Sequence, residues 1–376
     1  MKKVLIFYAS YGGGHLSAAK SIKQYIDENY SEVQTEMVDC VKYINHTIDK
    51  LTTGAYREMA KKVPWAWKKV YYNSQKGLLG EISKDANIIM AKKINKLFKE
   101  YNPDIVISTH PFSSQMTGYL KKKGIVNCTL ATIMTDFAPH DQWLIGNEYV
   151  DYYFVSNENM KNLMIEKNNI PPNKIYVTGI PIAKRFLQEY NKNEIYNDFG
   201  LVPNKKTILF FGGGEYGLGK DATIAILNVL AKSNLNIQVI AIAGKNEKMK
   251  EAFENIVSKN NKSESIKVLS FTDKVPELMS ISNLVITKPG GLTTSESLAS
   301  GLPIIVINPI PGQEEENAEF LEKSGCAIWI RKNSNPEEIL NSILEDKEKL
   351  NKMKENSIKL SRKNSTKDIC EICLNN

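Results

Sequence analysis

The chain has 376 residues, 42% of them hydrophobic and 24% charged, with a formal charge of +7. That length suits two domains, and the balance is that of a globular chain able to bury real cores. No apolar run approaches the ~20 residues that span a bilayer, and five scattered cysteines, an odd number, argue against a disulfide framework.

The first segment, Met1-Lys2-Lys3-Val4-Leu5-Ile6-Phe7, resembles a signal peptide only until Ser10-Tyr11-Gly12 ends the apolar stretch. It reads as a buried first strand, and a cytosolic location is expected. Short apolar runs then alternate with helical stretches, the pattern of parallel α/β domains. In the first half the strands are expected at Lys3–Tyr8, Gln34–Val38, Ile105–Thr109, Thr129–Thr135, Tyr152–Val155 and Ile175–Val177. In the second half they are expected at Thr207–Phe211, Ile237–Ile242, Ile266–Leu269, Leu284–Thr287, Pro303–Ile307 and Ala327–Ile330. Helices are expected at Leu16–Glu28 and Lys220–Lys232, among others. The polar, Asn-rich residues 191–206 read as a linker between an N-terminal domain (1–190) and a C-terminal one (207–355). Residues 356–376 read as a terminal helix packing back on the N-terminal domain. In open α/β sheets ligands sit beyond the carboxyl ends of the strands. Two such domains facing each other would place an active site in the cleft between them.

The charge is uneven. Between Lys50 and Glu100, twelve lysines and arginines stand against four acids, and a basic region of this kind points to an anionic partner. Within it lies Lys61-Lys62-Val63-Pro64-Trp65-Ala66-Trp67-Lys68-Lys69. Its aromatic rings (Trp65, Trp67) suit the headgroup level of a membrane, and each lysine, such as Lys68 and Lys69, contributes about 1 kcal/mol near an anionic surface. A solvated basic helix with its tryptophans on the domain core is the plainer alternative. Cys370 and Cys373 are neighbours on one helix face with no second pair or histidine nearby, so no metal is expected there.

Three glycine turns follow strands. The first, Ala9-Ser10-Tyr11-Gly12-Gly13-Gly14-His15, lets a ligand approach the backbone closely and sets His15 at a strand–helix junction. The side chain there serves chemistry or is simply a solvated turn histidine. The second, Phe211-Gly212-Gly213-Gly214-Glu215-Tyr216-Gly217-Leu218-Gly219-Lys220, fits GxGxxG without the acid that binds ribose. It also fits GxxxxGK with Asp221 where magnesium needs Ser or Thr. A phosphate cradle around Gly213 and Gly214 survives both failures. The third, Thr287-Lys288-Pro289-Gly290-Gly291-Leu292-Thr293-Thr294-Ser295-Glu296, offers free amides to a diphosphate. Glu296 stands one turn into the helix, where it suits ribose hydroxyls or is an ordinary first-turn acid. Pro311-Gly312-Gln313-Glu314-Glu315-Glu316-Asn317 supplies groups suited to a sugar edge.

In these segments the chain resembles the processive diacylglycerol glycosyltransferases of Gram-positive bacteria and the plant monogalactosyldiacylglycerol synthases. The matching motifs are the first glycine turn, Met134-Thr135-Asp136-Phe137, Thr178-Gly179-Ile180-Pro181-Ile182, Thr287-Lys288-Pro289-Gly290-Gly291-Leu292-Thr293 and Pro311-Gly312-Gln313-Glu314 with Asn317. The resemblance implies a GT-B fold, two Rossmann-like parallel-sheet domains, and an inverting reaction with no catalytic metal and no cofactor beyond a UDP-hexose substrate. It implies diphosphate contacts from Gly290, Gly291 and Thr293, ribose contacts from Glu296, uracil contacts from Phe271 and Thr272, and hexose contacts from Gln313 and Glu314 supported by Asn317. Asn283 stands where relatives usually carry Asp. The acceptor is expected to be diacylglycerol or glycosyl-diacylglycerol at the inner face of the plasma membrane, with Gly13, Gly14, His140 and Trp143 on the acceptor side. A polyprenyl-linked peptidoglycan precursor is the alternative acceptor. No nucleic-acid partner is expected, since no such motif is visible. The base that draws the proton from the acceptor hydroxyl is His15 first and Asp136 second, with Asp136 otherwise orienting His15.

Overall fold

A computed structural model of the chain describes residues 1–10, 13–44, 91, 93–213 and 220–375. It holds two compact units. One comprises Met1–Lys184, Pro311–Gln313 and Arg362–Asn376, and the other Arg185–Ile310 and Glu314–Ser361. The stretch read as a linker carries a short helix, Lys192–Asp198, whose N-cap Asn191 accepts the Asn193 amide.

The first unit is built on a six-stranded sheet: β1 (Lys2–Tyr8), β2 (Val33–Asp39), β3 (Ile105–Ser108), β4 (Thr129–Ile133), β5 (Tyr152–Val155) and β6 (Ile175–Val177). Every described pairing is parallel, in the order β2-β1-β3-β4-β5-β6. A parallel sheet is covered on both faces, so its strands read as unbroken apolar runs rather than alternations. In β1, Leu5 and Phe7 enter one core while Val4 and Ile6 enter the other. The second unit repeats the design with β7 (Lys206–Phe211), β8 (Ile237–Ile242), β9 (Ile266–Leu269), β10 (Leu284–Thr287), β11 (Ile304–Val306) and β12 (Ala327–Trp329). These strands are ordered β12-β11-β10-β7-β8-β9, again all parallel. All twelve expected strands are present, displaced at most by a residue or two at their ends.

The terminal helix Ser365–Asn375 belongs to the first unit. Ile369, Cys370, Cys373 and Leu374 share a core with Ile22 and Ile26 of the helix Gly13–Asn29 and with Val4, Ile6 and Ile107 of the sheet. Burial pushes the Cys373 thiol up to about 12, so the pair behaves as two small apolar side chains. The Thr178-Gly179-Ile180-Pro181-Ile182 segment anchors this helix. The Ser365 hydroxyl donates to the Ile180 carbonyl and the Thr366 hydroxyl to that of Ile182, both at 2.9 Å. Gly179 has φ +89°, and a Cβ there would collide with Arg362 Cβ. Gly179→Ala therefore meets both a conformational and a steric penalty. We expect it to lower unfolding free energy by about 2 kcal/mol or more, read from the urea midpoint at unchanged m-value.

Candidate functional site

In the first unit β2 lies on one side of β1 and β3 on the other, so the chain reverses direction across the sheet between β1 and β3. The segments leaving those two strands diverge and open a crevice at their carboxyl ends. His15, two residues into the helix Gly13–Asn29, sits there. Its Nδ1 lies 2.6 Å from the Thr109 carbonyl, which follows β3, and 3.1 Å from Thr135 Oγ1, which follows β4. A carbonyl only accepts, so Nδ1 carries the hydrogen. The Thr109 hydroxyl in turn donates to the carbonyls of Phe7 and His15, at 3.1 and 3.0 Å. This clamp sets one tautomer and leaves Nε2 as the ring's basic lone pair. Burial holds the imidazole down, at about 4, against the opposing Thr109 bond, so the ring is neutral near pH 7.

Two aromatic walls flank His15. Trp143, almost fully buried, stands with its ring centre 6.4 Å away, and His110 meets it edge to face at 4.7 Å. His110 was not among the residues the sequence singled out. It is the N-cap of the helix Pro111–Lys122, its Nδ1 accepting the Phe112 amide at 3.3 Å. The signal for it was the polar run Ser108-Thr109-His110 directly before Pro111. His140 is likewise a cap, accepting the Gln142 amide at 3.1 Å ahead of the turn that holds Trp143. Asp136 is buried just past β4, and its carbonyl accepts the Ser156 hydroxyl at 2.7 Å. The partner that orients His15 through Nδ1 is thus Thr109, with Thr135 beside it, rather than the Asp136 carboxylate. Gly13 and Gly14 open the helix that carries His15, and among the described residues nothing lies within 4 Å of where a Gly13 side chain would begin. Tyr11, Gly12, Trp65, Trp67, Lys68 and Lys69 lie outside the described residues, as do Gly214 and the second glycine turn through Gly219.

In the second unit the reversal falls between β7 and β10. Gly213, after β7, has φ +97°, a conformation that favours glycine. After β10, Gly290 is the N-cap of the helix Gly291–Ala299 and has no side chain to bond the helix's own amides. The first helical bond closes from the Thr294 amide to the Gly290 carbonyl at 3.0 Å. The amides of Gly291, Leu292 and Thr293 therefore have no partner within the helix. Among the described residues nothing lies within 4 Å of where a Gly290 side chain would begin. Free amides, a positive dipole end and room for close approach together make an anion cradle. The buried Thr294 hydroxyl has no partner among the described residues. Glu296, 8% exposed, lies one turn further in. Burial pushes its carboxyl up to about 8, with the Arg185 guanidinium pulling the other way. Arg185, another residue the sequence did not mark, donates to the Asp273 carbonyl at 3.0 Å.

The remaining expected donor contacts divide. Phe271, after β9, is 65% exposed, with the Lys245 ammonium 5.3 Å from its ring centre. It is a flat apolar face offered to solvent, fit for stacking. The Thr272 hydroxyl accepts the Lys274 amide at 3.1 Å and so serves its own turn. Gln313 opens the helix Gln313–Lys323. Glu314, expected on the sugar, accepts the Ile310 amide at 2.6 Å, and Asn317 donates to the Pro289 carbonyl at 3.0 Å. The first bond fixes the helix start to its own preceding turn, and the second ties the helix to the loop that carries Gly290.

The first unit thus presents a neutral, oriented proton acceptor, and the second an anion cradle beside a buried acid. Glu296 gives the cradle a pH signature. Its folded-state value is raised from 4.5, so the native chain binds the extra proton and its stabilising effect is lost as pH rises from 4.5 through about 8. His15 has the opposite sign, its contribution being complete above 6.5 and lost as pH falls toward about 4. Between pH 6.5 and 8, therefore, Glu296→Gln is expected to flatten the decline of the urea midpoint seen in the native chain. An identical slope in both proteins would mean that the carboxyl is already ionised.

Known proteins match this description along the whole chain. The family model described as monogalactosyldiacylglycerol (MGDG) synthase matches residues 15–182, and that described as the glycosyltransferase family 28 C-terminal domain matches residues 207–371. The processive diacylglycerol beta-glucosyltransferase of Bacillus licheniformis is 32% identical over 370 residues, 98% of this chain and 93% of that one. Its counterpart from Bacillus subtilis strain 168 is 32% identical over 372 residues, 98% and 94% of the two chains. Among solved structures, Acinetobacter baumannii MurG superposes with a TM-score of 0.69 at 14% identity over all of both chains. The UDP-GlcNAc 2-epimerase from Neisseria meningitidis, bound to UDP-GlcNAc, does so at 0.65 and 16%, again over all of both. At those identities the structural matches speak for the fold alone, the GT-B class of paired parallel-sheet domains. The sequence matches go further: the chain is a glycosyltransferase and belongs to the family of the processive diacylglycerol beta-glucosyltransferases.

Proposed function

We propose that the chain transfers a hexose, glucose in preference to galactose, from its UDP-sugar to the hydroxyl of diacylglycerol or a glycosyl-diacylglycerol, with inversion at the anomeric carbon. The observation that carries this reading is the tether of His15 Nδ1 to the Thr109 carbonyl, which leaves Nε2 unprotonated and the ring neutral at working pH. As the acceptor oxygen bonds to the anomeric carbon, its proton passes to Nε2 and the bond to the diphosphate oxygen breaks. The charge that appears on UDP is met by the amides of Gly291, Leu292 and Thr293 at a helix N-terminus, preorganised dipoles that need no metal. Glu296 takes the ribose hydroxyls and Phe271 the uracil face. The preference for glucose rests on the names of the relatives, and their beta linkage accords with inversion of an α-configured donor. Family membership likewise favours diacylglycerol over a polyprenyl-linked acceptor.

The enzyme would work as a peripheral protein at the cytoplasmic face of the membrane. Among the described residues no helix is long and apolar enough to cross a membrane. The basic, Trp-bearing segment around Trp65 and Lys69 is proposed as its contact with anionic lipid.

Three measurements test this. Incubated with labelled UDP-glucose or UDP-galactose and either diacylglycerol or an isoprenoid-linked acceptor, the protein should glucosylate diacylglycerol fastest, and exclusive labelling of the isoprenoid would overturn the acceptor. His15→Ala should cut kcat by roughly 10²–10⁴-fold with UDP affinity within about twofold, the range expected of a lost general base. Vesicle binding should rise with the anionic lipid fraction and fall with salt. Equal binding to neutral vesicles at every salt concentration would remove the electrostatic attraction.

A further inference from the structure

Between the two glycine turns of the second unit stands a cation that the reading above leaves without a task. Lys288 directly follows β10, two residues before Gly290. Its stem crosses to the turn after β7, where Cε lies 3.8 Å from the position a Gly213 side chain would occupy. The lysine therefore reaches from the strand that leads into the Gly290–Gly291 turn across to Gly213, at the strand reversal. Burial holds its ammonium below the ordinary lysine value while Glu314 pulls it back up. Glu314 does not neutralise it by contact: one of its oxygens is held by the Ile310 amide, and Lys288 forms no hydrogen bond or ion pair with any described residue. Lys288 is only partly buried, and an ammonium with no bonded partner among the described residues is available to an anion that a ligand supplies.

We infer that Lys288 is the side-chain cation for the donor's diphosphate, reaching from between the two turns to the phosphate oxygens that the Gly291, Leu292 and Thr293 amides hold from the helix end. Glu314 lies close enough to act on this lysine by its charge, and Asn317, three residues on, donates to the Pro289 carbonyl beside Lys288 and so holds the loop that aims it. The inference rests on the proposed UDP-sugar site and assigns the strongest charge within it. Lysine meets phosphate as a point charge, which suits a group that must follow the leaving UDP as its charge grows.

Titration calorimetry of the full chain with UDP and with uridine tests it. Lys288→Met should weaken UDP binding roughly 10- to 100-fold, the worth of one or two charge-assisted bonds, while uridine affinity stays within twofold. Lys288→Arg should recover most of the UDP affinity. A parallel loss for UDP and uridine would show that the lysine only supports the loop, and undiminished UDP binding by Lys288→Met would show that it never meets the diphosphate; either overturns the inference while leaving the donor site standing. A native chain that binds neither compound would overturn the donor site itself, and this inference with it. Should Lys288→Met fail to fold, Glu314→Gln serves. Freed of its counter-charge, the lysine should then bind UDP several times more tightly at unchanged uridine affinity, and unchanged or weaker UDP binding would refute the assignment.

Discussion

A parallel sheet whose strand order reverses cannot close over the ends of its two central strands, because the segments leaving them cover opposite faces. Both halves of this chain are organised around that constraint. In the first unit the reversal lies between β1 and β3 and receives His15. In the second it lies between β7 and β10 and receives two glycine turns and a helix N-terminus. The strands themselves are unremarkable apolar runs. What they accomplish is to bring together, at the carboxyl end of each sheet, residues far apart in the chain, such as His15 and Thr109 or Gly213 and Lys288.

At each reversal the backbone does much of the chemical work and burial does the rest. The Thr109 carbonyl chooses the tautomer of His15, and enclosure keeps that ring neutral. Three amides at the start of the helix Gly291–Ala299 offer partial positive charge already oriented toward an arriving anion. The ionisable groups near them are held away from their ordinary values in the direction burial demands: Glu296 and Glu314 upward, Lys288 downward. A site of this kind is electrostatically unfinished when empty, and a nucleotide diphosphate carries the complementary pattern of hydroxyls and negative charge.

The same economy explains a motif with no role in the chemistry. Thr178-Gly179-Ile180-Pro181-Ile182 receives the hydroxyls of Ser365 and Thr366 on its carbonyls, and Gly179 lets the chain near Arg362 come close. The terminal helix thereby completes the apolar face of the first sheet beside the helix Gly13–Asn29, although the intervening chain has built the whole second unit in between.

Strand positions, the parallel α/β class and the three glycine turns were legible in the sequence because they follow from local rules: unbroken apolar runs of strand length, and glycine where the backbone must turn. The family was legible for the same reason, its motifs being short and contiguous. The partners of those motifs were not. Nothing local to His110 reveals that its ring stands against His15, nothing near Lys288 reveals that it reaches Gly213, and nothing near Glu314 reveals that its carboxylate accepts the Ile310 amide. Each of these depends on which strands become neighbours, and sheet order is set by packing over the whole unit rather than by any stretch of chain. The sequence by itself determined which elements form and what chemistry they carry; the tertiary structure alone decided which carbonyl orients the histidine and which cation stands in the crevice, because burial and strand order exist only once the sheets are assembled.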